Sequence, residues 1–520
     1  MTATGTLSCV PDLVPLRPAV PVETPLQDVV EWLGDLLVDR RGDLGVVLTG
    51  ATISSLRVHP GDLYVAPAGA RAHGASYVDQ AVRDGAVAVL TDPAGALQCP
   101  DAAVPVLVVE RPREVVGDLA ARIYGRPAQR LRMVAVTGTQ GKTTTTRLAE
   151  AALSAAGVPA AVVGTVGTRV AGVDVKTSLT TPEAPDLHAL FAVMAERGVA
   201  ACAMEVSSHA LVMGRVDGVV FDVACFTNLG RDHLDFHADV EEYFAAKASL
   251  FTPGRARLGL VNVDDEHGRR LVREATVPVR TFSAAGAEAD WRAGDVVLEP
   301  TGSTFTVHAP SGESFPARVP LTGDFNVANA LCAIAALGEA GFDAAAVAAA
   351  MGASGGVPGR LEQVDAGQGF LAVVDYAHKP DAVTAALRAL RALTTGRLLV
   401  VLGAGGDRDP GKRPIMGEIA ARLGDVLVVT DDNPRSEDPA AIRGEVLAGA
   451  EAVPAAERAE LREVGDRRAA IALAVSLAAD GDTVVVAGKG HETGQEVAGT
   501  VHPFDDRVVL REEMTGRVAR

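Results

Sequence analysis

Residues Thr137-Gly138-Thr139-Gln140-Gly141-Lys142-Thr143-Thr144 have the types and spacing of a phosphate cradle. Glycines let backbone N–H groups approach an anion, and a helix N-terminus adds donors and a favourable dipole. Lys142 can then reach terminal phosphates, and the Thr143 hydroxyl can ligate Mg²⁺. Val136 stands where the longer form of this loop carries its first glycine, so this is a shortened variant. Glu205, in Glu205-Val206-Ser207-Ser208-His209, and His233, in Arg231-Asp232-His233-Leu234-Asp235, each follow an apolar run. A carboxylate and an imidazole just past strand ends can complete a Mg²⁺ site, where hard oxygen ligands are preferred.

The chain has six lysines among its 48 basic residues, and five of them sit in recognisable motifs. Besides Lys142, these are Lys247, Lys379, Lys412 and Lys489; only Lys176 has no motif. An ammonium on a flexible stem suits phosphate and covalent chemistry, whereas a guanidinium is a rigid fork. Lys247 is the odd one. In a helix expected over 240–251, Tyr243, Lys247, Leu250 and Phe251 share one apolar face. Either the stem lies along the core with its ammonium in water, or the amine is desolvated, depressed in pKa and open to covalent modification.

Four apolar runs near the end of the chain, 370–374, 397–402, 425–429 and 483–487, read as strands. Each runs into a polar loop: Asp375-Tyr376-Ala377-His378-Lys379-Pro380, the loop from Gly403 to Asp409, Asp431-Asp432-Asn433-Pro434-Arg435, and Gly488-Lys489-Gly490-His491-Glu492. In an open parallel sheet the carboxyl ends of the strands share one edge, where ligands bind.

Valine-rich runs alternating with alanine-rich helical stretches predict an α/β chain of three domains. The boundaries expected are 1–128, 129–357 and 358–520, with a central P-loop parallel sheet and a C-terminal Rossmann-like sheet. Antiparallel strands are expected over 295–323, and a hinge near Pro358. The formal charge of −18 argues against general nucleic-acid or acidic-membrane binding. Five scattered cysteines suggest reduced thiols in a cytoplasmic protein, with Cys202 and Cys225 buried. No apolar run reaches the roughly 18 residues that span a bilayer, and the first 25 residues read as a loose tail.

Together these motifs resemble the Mur ligases, the ATP-dependent amide-forming enzymes of peptidoglycan synthesis, over nearly the whole chain. Gly323-Asp324-Phe325-Asn326 and Gly359-Arg360-Leu361-Glu362 belong to the same set. The resemblance implies a UDP-sugar domain, an ATP domain and an amino-acid domain, working as a cytoplasmic monomer with ATP and Mg²⁺. It implies ATP contacts from Gly138 through Thr144, Asn326 near adenine, and Arg360 and Asp375 near phosphates and ribose. Lys142, Glu205, His233 and Lys247 would be catalytic. Thr143, Glu205, His233 and Lys247, the last as a carbamate, would serve the metal.

Within the family, the chain resembles members that add meso-2,6-diaminopimelate to UDP-N-acetylmuramoyl-L-alanyl-D-glutamate. Asp432, Asn433, Pro434 and Arg435 carry that likeness, with Arg408, Gly488 and Glu492 at the zwitterionic end. A guanidinium grips a carboxylate with two charge-assisted hydrogen bonds, and L-lysine lacks the second carboxylate of diaminopimelate. Ile53, Ser55, Ala70, Thr180, Thr181, Ser207 and Arg215 match positions that hold the UDP-muramoyl dipeptide. Met213 replaces a glutamine common in relatives, and Ser54-Ser55-Leu56 replaces Asp-Ser-Arg. The alternatives are an L-lysine-adding member, a folylpolyglutamate synthase-like ligase and a non-enzymatic ATP-binding regulator. The Asp-Asn-Pro-Arg loop and the additional N-terminal block argue against the folylpolyglutamate synthase-like reading, and the intact Lys142, Glu205, His233 and Lys247 against the regulator.

Overall fold

The computed structural model describes residues 14–69, 71–175, 177, 179–230, 232 and 236–518. His233, Ala70 and Lys176 lie outside the described residues. Among those described, three large sheets follow one another along the chain, each with parallel strands at its centre.

The first sheet holds β1 (Leu37–Arg41), β2 (Gly50–Thr52), β3 (Asp62–Ala66), β4 (Ala88–Thr91) and β5 (Val106–Val109), in the order β1-β5-β4-β3-β2. Its strands are almost entirely apolar from β3 to β5 because both faces are covered. Helix α1 (Pro112–Ile123) covers one of them and also packs against the middle of the chain. There Gly117 admits no side chain, since a Cβ would stand 2.6 Å from Asp217.

The central sheet is built around β6 (Arg132–Thr137), which feeds α2 (Lys142–Ala155). It continues through β7 (Ala160–Val163), β8 (Thr168–Val170), β9 (Val173–Val175), α3 (Ala184–Glu196), β10 (Ala201–Glu205), α4 (Ser208–Val212), β11 (Phe221–Phe226), α5 (Val240–Ala248), β12 (Ala256–Asn262) and β13 (Val279–Ser283). The antiparallel edge is β14 (Trp291–Glu299), β15 (Gly302–His308) and β16 (Ser314–Val319), followed by α6 (Asp324–Glu339). The order is β9-β8-β7-β10-β6-β11-β12-β13-β14-β15-β16. The edge strands fall where expected, beginning slightly earlier at Trp291.

The last sheet has the order β17-β18-β22-β19-β20-β21. Its strands are β17 (Glu362–Gln363), β18 (Leu371–Asp375), β19 (Leu398–Leu402), β20 (Val426–Val429), β21 (Glu460–Glu463) and β22 (Thr483–Ala487). All neighbours from β18 to β21 are parallel, so their polar loops share one edge. Helices α7 (Pro380–Leu393), α8 (Lys412–Leu423) and α9 (Arg467–Leu477) alternate with them. A hairpin of β23 (Gly494–Val497) and β24 (Thr500–Pro503) precedes the last helix, α10 (Asp506–Val518).

Gly141 at φ 86° turns the chain directly into the P-loop helix, which begins at Lys142. Two expectations change. The helix carrying Lys247 ends at Ala248, not Phe251. The segment after residue 13 is not loose: Ala19 and Val20 donate their N–H groups to Glu196, and Arg17 pairs with Asp62. It therefore straps the first sheet to the helix α3 of the second.

Candidate active site

The P-loop is held by the strand beside it. Thr139 N donates to Asn228 O, Gln140 N to Asn228 Oδ1, and Thr227 Oγ1 to Gln140 O at 2.6 Å. A Cβ on Gly138 would stand 2.0 Å from Thr227 Oγ1, and one on Gly141 2.3 Å from Asn329 Oδ1. Both glycines sit at positive φ, so conformation and space each require them. Thr227-Asn228 thus shapes the cradle, a role its sequence motif did not reveal.

Lys142 extends from the first helical residue, and its Nζ donates to Gly138 O at 2.8 Å and Thr139 O at 3.1 Å. Burial lowers its pKa; Glu205 opposes that and Lys379 adds to it. Lys247 is 1 % exposed, which excludes the snorkelling alternative. Its Nζ donates to Gly138 O at 2.9 Å and lies 4.5 Å from the Tyr243 ring centroid. Burial, then the neighbouring Lys142, holds its pKa well below the usual lysine range. The Tyr243 hydroxyl shares a hydrogen bond with Thr139 Oγ1, so α5 grips the cradle by two side chains.

Glu205 ends β10 and is buried. Its carboxylate accepts from Thr165 N at 2.7 Å and Thr165 Oγ1 at 3.1 Å. Thr165 also meets the Thr180 hydroxyl, and Thr181 Oγ1 donates to Glu205 O. Ser207 caps α4 by accepting from Ala210 N. Arg215 Nε donates to Glu183 Oε1 at 2.9 Å.

These groups open into one cleft of about 1040 Å³. It brings together Thr139–Thr144, Thr180, Thr181, Glu205, Ser207, Met213, Arg215, Lys247, Asn326, Arg360, Asp375 and Arg408. Asn326 is fixed at the start of α6, with Nδ2 on Thr322 O and Oδ1 accepting from Asn329. Asp375 accepts backbone N–H groups of Leu361 and Ala377, so its carboxylate holds the Arg360 loop in place. The Arg360 guanidinium lies 4.5 Å over the Tyr376 ring. Lys379 pairs with Asp232, joining the last sheet to the central part. Ile53 and half-buried Ser55 lie in the turn that follows β2 of the first sheet and do not line this cleft.

The other candidate group surrounds the last sheet's edge, behind Tyr376, whose hydroxyl donates to Glu492 Oε1 at 3.4 Å. Asn433 Nδ2 donates to Glu492 Oε2 at 2.9 Å. Asp432 is buried against Gly488, where a Cβ would meet Asp432 Oδ2 at 2.5 Å. Arg435, next to Pro434, adopts φ 55° and donates through Nη1 to Gly406 O at 2.5 Å. Arg408 is exposed, across Gly405 from Arg435.

Among the described residues, no three His, Cys, Asp or Glu side chains are grouped to hold a metal. The donors that do line the cleft, the Thr143 hydroxyl and the Glu205 carboxylate, are hard oxygens that fit Mg²⁺. Lys247 joins that set only as a carbamate. No helix among the described residues is long and apolar enough to cross a membrane.

These features define an α/β protein of three parallel-centred sheets, in which a Gly-rich loop entering a helix faces loops of the last sheet across one cleft. Residues 47–124 match the Mur ligase family catalytic domain, 136–337 the Mur ligase middle domain, and 359–490 the Mur ligase glutamate ligase domain. The UDP-N-acetylmuramoyl-L-alanyl-D-glutamate--2,6-diaminopimelate ligase of Streptomyces coelicolor is 57% identical, covering 96% of this chain and 98% of its own. The protein of the same name from Corynebacterium efficiens is 50% identical over 89% of each chain. A solved structure of a ligase of that name superposes with a TM-score of 0.69 at 31% identity, covering 96% of this chain and all of its own. The chain belongs to the Mur ligase family.

Proposed function

We propose that this chain is an ATP-dependent, ADP-forming ligase joining meso-2,6-diaminopimelate to the D-glutamyl carboxylate of UDP-N-acetylmuramoyl-L-alanyl-D-glutamate in cytoplasmic peptidoglycan synthesis. The observation that carries it is the single cleft into which the P-loop, the buried Lys247, and the Asp375–Lys379 loop and Arg408 of the last sheet's polar edge all open. Near full-length similarity to ligases of that name supports the choice of substrates.

The substrate carboxylate attacks the γ-phosphate of ATP, the bond to the β-phosphate breaks, and ADP leaves as an acyl phosphate forms. The loop N–H groups, the start of α2, Lys142 and Arg360 offset the negative charge crowded there, so the protein contributes chiefly positioning and electrostatics. The incoming amine then attacks the activated carbonyl, and phosphate leaves. Thr143, Glu205, His233 and carbamylated Lys247 would hold Mg²⁺, which supplies charge neutralisation at the phosphates. Arg408, Asp432, Asn433, Arg435 and Glu492 would receive the amino acid. Contacts from Arg360 and Lys379 across to the P-loop side support a C-terminal part that closes over the nucleotide.

The test is phosphate release with UDP-muramoyl dipeptide, comparing diaminopimelate with L-lysine. Release driven preferentially by diaminopimelate is expected. Equal rates would overturn the amino-acid choice, and no release with either would overturn the ligase.

A further inference from the structure

Lys489 is the most thoroughly buried lysine of the described residues, at 0 % exposure, and the proposed reaction does not use it. Its neighbours turn it inward. Gly488 and Gly490 adopt φ 118° and 55°. A Cβ on Gly488 would stand 2.5 Å from Asp432 Oδ2, and one on Gly490 2.7 Å from Tyr376 Cβ. Two residues that only glycine satisfies therefore flank one whose long stem must run into the protein.

The ammonium ends among the groups assigned above to the amino acid. Nζ donates to Asn433 Oδ1 at 2.9 Å and Glu492 Oε2 at 3.2 Å, and lies 3.6 Å from Asp432 Oδ1. Asn433 Oδ1 also accepts from Glu496 N, while its Nδ2 donates to Glu492. With acceptors and donors so divided, Lys489 fixes which way the Asn433 amide faces. The order passes on to Arg435, whose N donates to Glu496 O and whose O accepts from Ala498 N. One ammonium between two carboxylates leaves a net charge of about −1, which suits a single substrate ammonium.

We propose that Lys489 is a positioning residue for the incoming amino acid. It sets the Asn433 amide, the Glu492 carboxylate and, through the β23–β24 hairpin, the Arg435 loop, without itself touching substrate. This rests on the reading of Asp432–Arg435 and Glu492 as the amino-acid site.

The test is Lys489→Met, with amino-acid affinity read both as KM in phosphate release and directly by calorimetric titration. Hydrogen bonds to charged groups of this kind imply an amino-acid KM raised roughly 10- to 100-fold. The KM values for ATP and the UDP-linked substrate should stay within about twofold, since the groups that bond Lys489 directly, Asn433 and Glu492, reach the P-loop only through Tyr376 and Arg360. Lys489→Gln keeps an N–H donor toward Asn433 and should recover part of the loss; it also replaces the methionine variant if that fails to fold. An unchanged amino-acid KM would overturn the proposal, and so would three KM values rising together. If the wild type prefers an amino acid other than diaminopimelate, the substrate reading falls, and the Lys489 effect is read on the amino acid it does use.

Discussion

Arg360 and Thr143 lie 217 residues apart and touch, the guanidinium Nη2 donating to the threonine Oγ1 at 3.3 Å. Thr143 is the second residue of the P-loop helix; Arg360 belongs to the loop before the last sheet. The last sheet places that arginine twice over, through Asp375 on Leu361 N and the Tyr376 ring beneath the guanidinium. A positive charge beside the P-loop helix is thus supplied by the loop that leads into the last sheet. Arg360→Ala should lower kcat/KM for ATP by roughly 10- to 100-fold. Arg360→Lys should recover little, because the planar fork is what meets both the hydroxyl and the ring. Steady-state phosphate release checks both; an ATP dependence untouched in Arg360→Ala would show that the contact is incidental.

Lys247 is almost wholly buried at the wall of the cleft, and its lowered pKa leaves more neutral amine than an exposed lysine has at the same pH. A neutral amine is what carbon dioxide reacts with, so the environment favours a carbamate there. Lys247→Ala should lose activity by at least about 100-fold. Formate or acetate, fitting the vacated space with a carboxylate, should restore part of it. Full activity in the alanine variant would remove the carbamate from the mechanism.

The parts readable in the sequence are those with a period or a local rule. Apolar runs gave the strands, and the four polar loops do share one edge because β18, β22, β19 and β20 are parallel neighbours. The i, i+4 spacing put Tyr243 and Lys247 on one buried face. What stayed hidden depends on distant partners. Gly-Lys-Gly at 488–490 reads as a polar loop at the ligand edge, but the burial of its lysine shows only once Tyr376 and Asp432 are packed against it. The motif around Thr227 and Asn228 does not announce that it holds the P-loop. Nor does an N-terminal run rich in proline show that Glu196 will bind its backbone.

Buried histidines set how stability responds to acid. Burial lowers His188 from 6.5 to about 4; its Nε2 lies 3.0 Å from Asp217 O. His378 and His491 are also lowered to about 4, by burial and then by Lys379 and Arg360 respectively. Below 6.5 the unfolded chain takes up a proton that the folded one refuses until about pH 4. Stability therefore falls as pH drops through that window, by up to about 1.4 kcal/mol per pH unit for a fully buried group, and is unaffected above it. Buried carboxylates raised in pKa, such as Asp375, push the other way. The informative quantity is accordingly the difference between wild type and His188→Gln. Urea midpoints at pH 4.5, 5.5 and 6.5 should fall less steeply for the variant; parallel slopes would refute the assignment.

Arg467 and Asp506 form an ion pair in which both side chains are 0 % exposed. The contact is bidentate, Nε to Oδ1 at 2.8 Å and Nη2 to Oδ2 at 2.7 Å. The same guanidinium donates to Ala487 O and Asp431 O, the ends of the strands that lead into the Lys489 and Arg435 loops. Removing one partner strands a buried charge, so Asp506→Ala should cost about 3–5 kcal/mol. Replacing both with apolar residues of similar volume removes the desolvation cost as well as the attraction. The Arg467→Met/Asp506→Leu variant should therefore recover much of the stability. It should not recover the two carbonyl contacts, and with β20 and β22 untied at that edge the amino-acid KM should still rise several-fold, in keeping with the loss of hydrogen bonds to a charged group. Denaturant unfolding and amino-acid kinetics on the single and double variants separate the two effects. A double variant with wild-type amino-acid KM would mean that the pair serves the core alone.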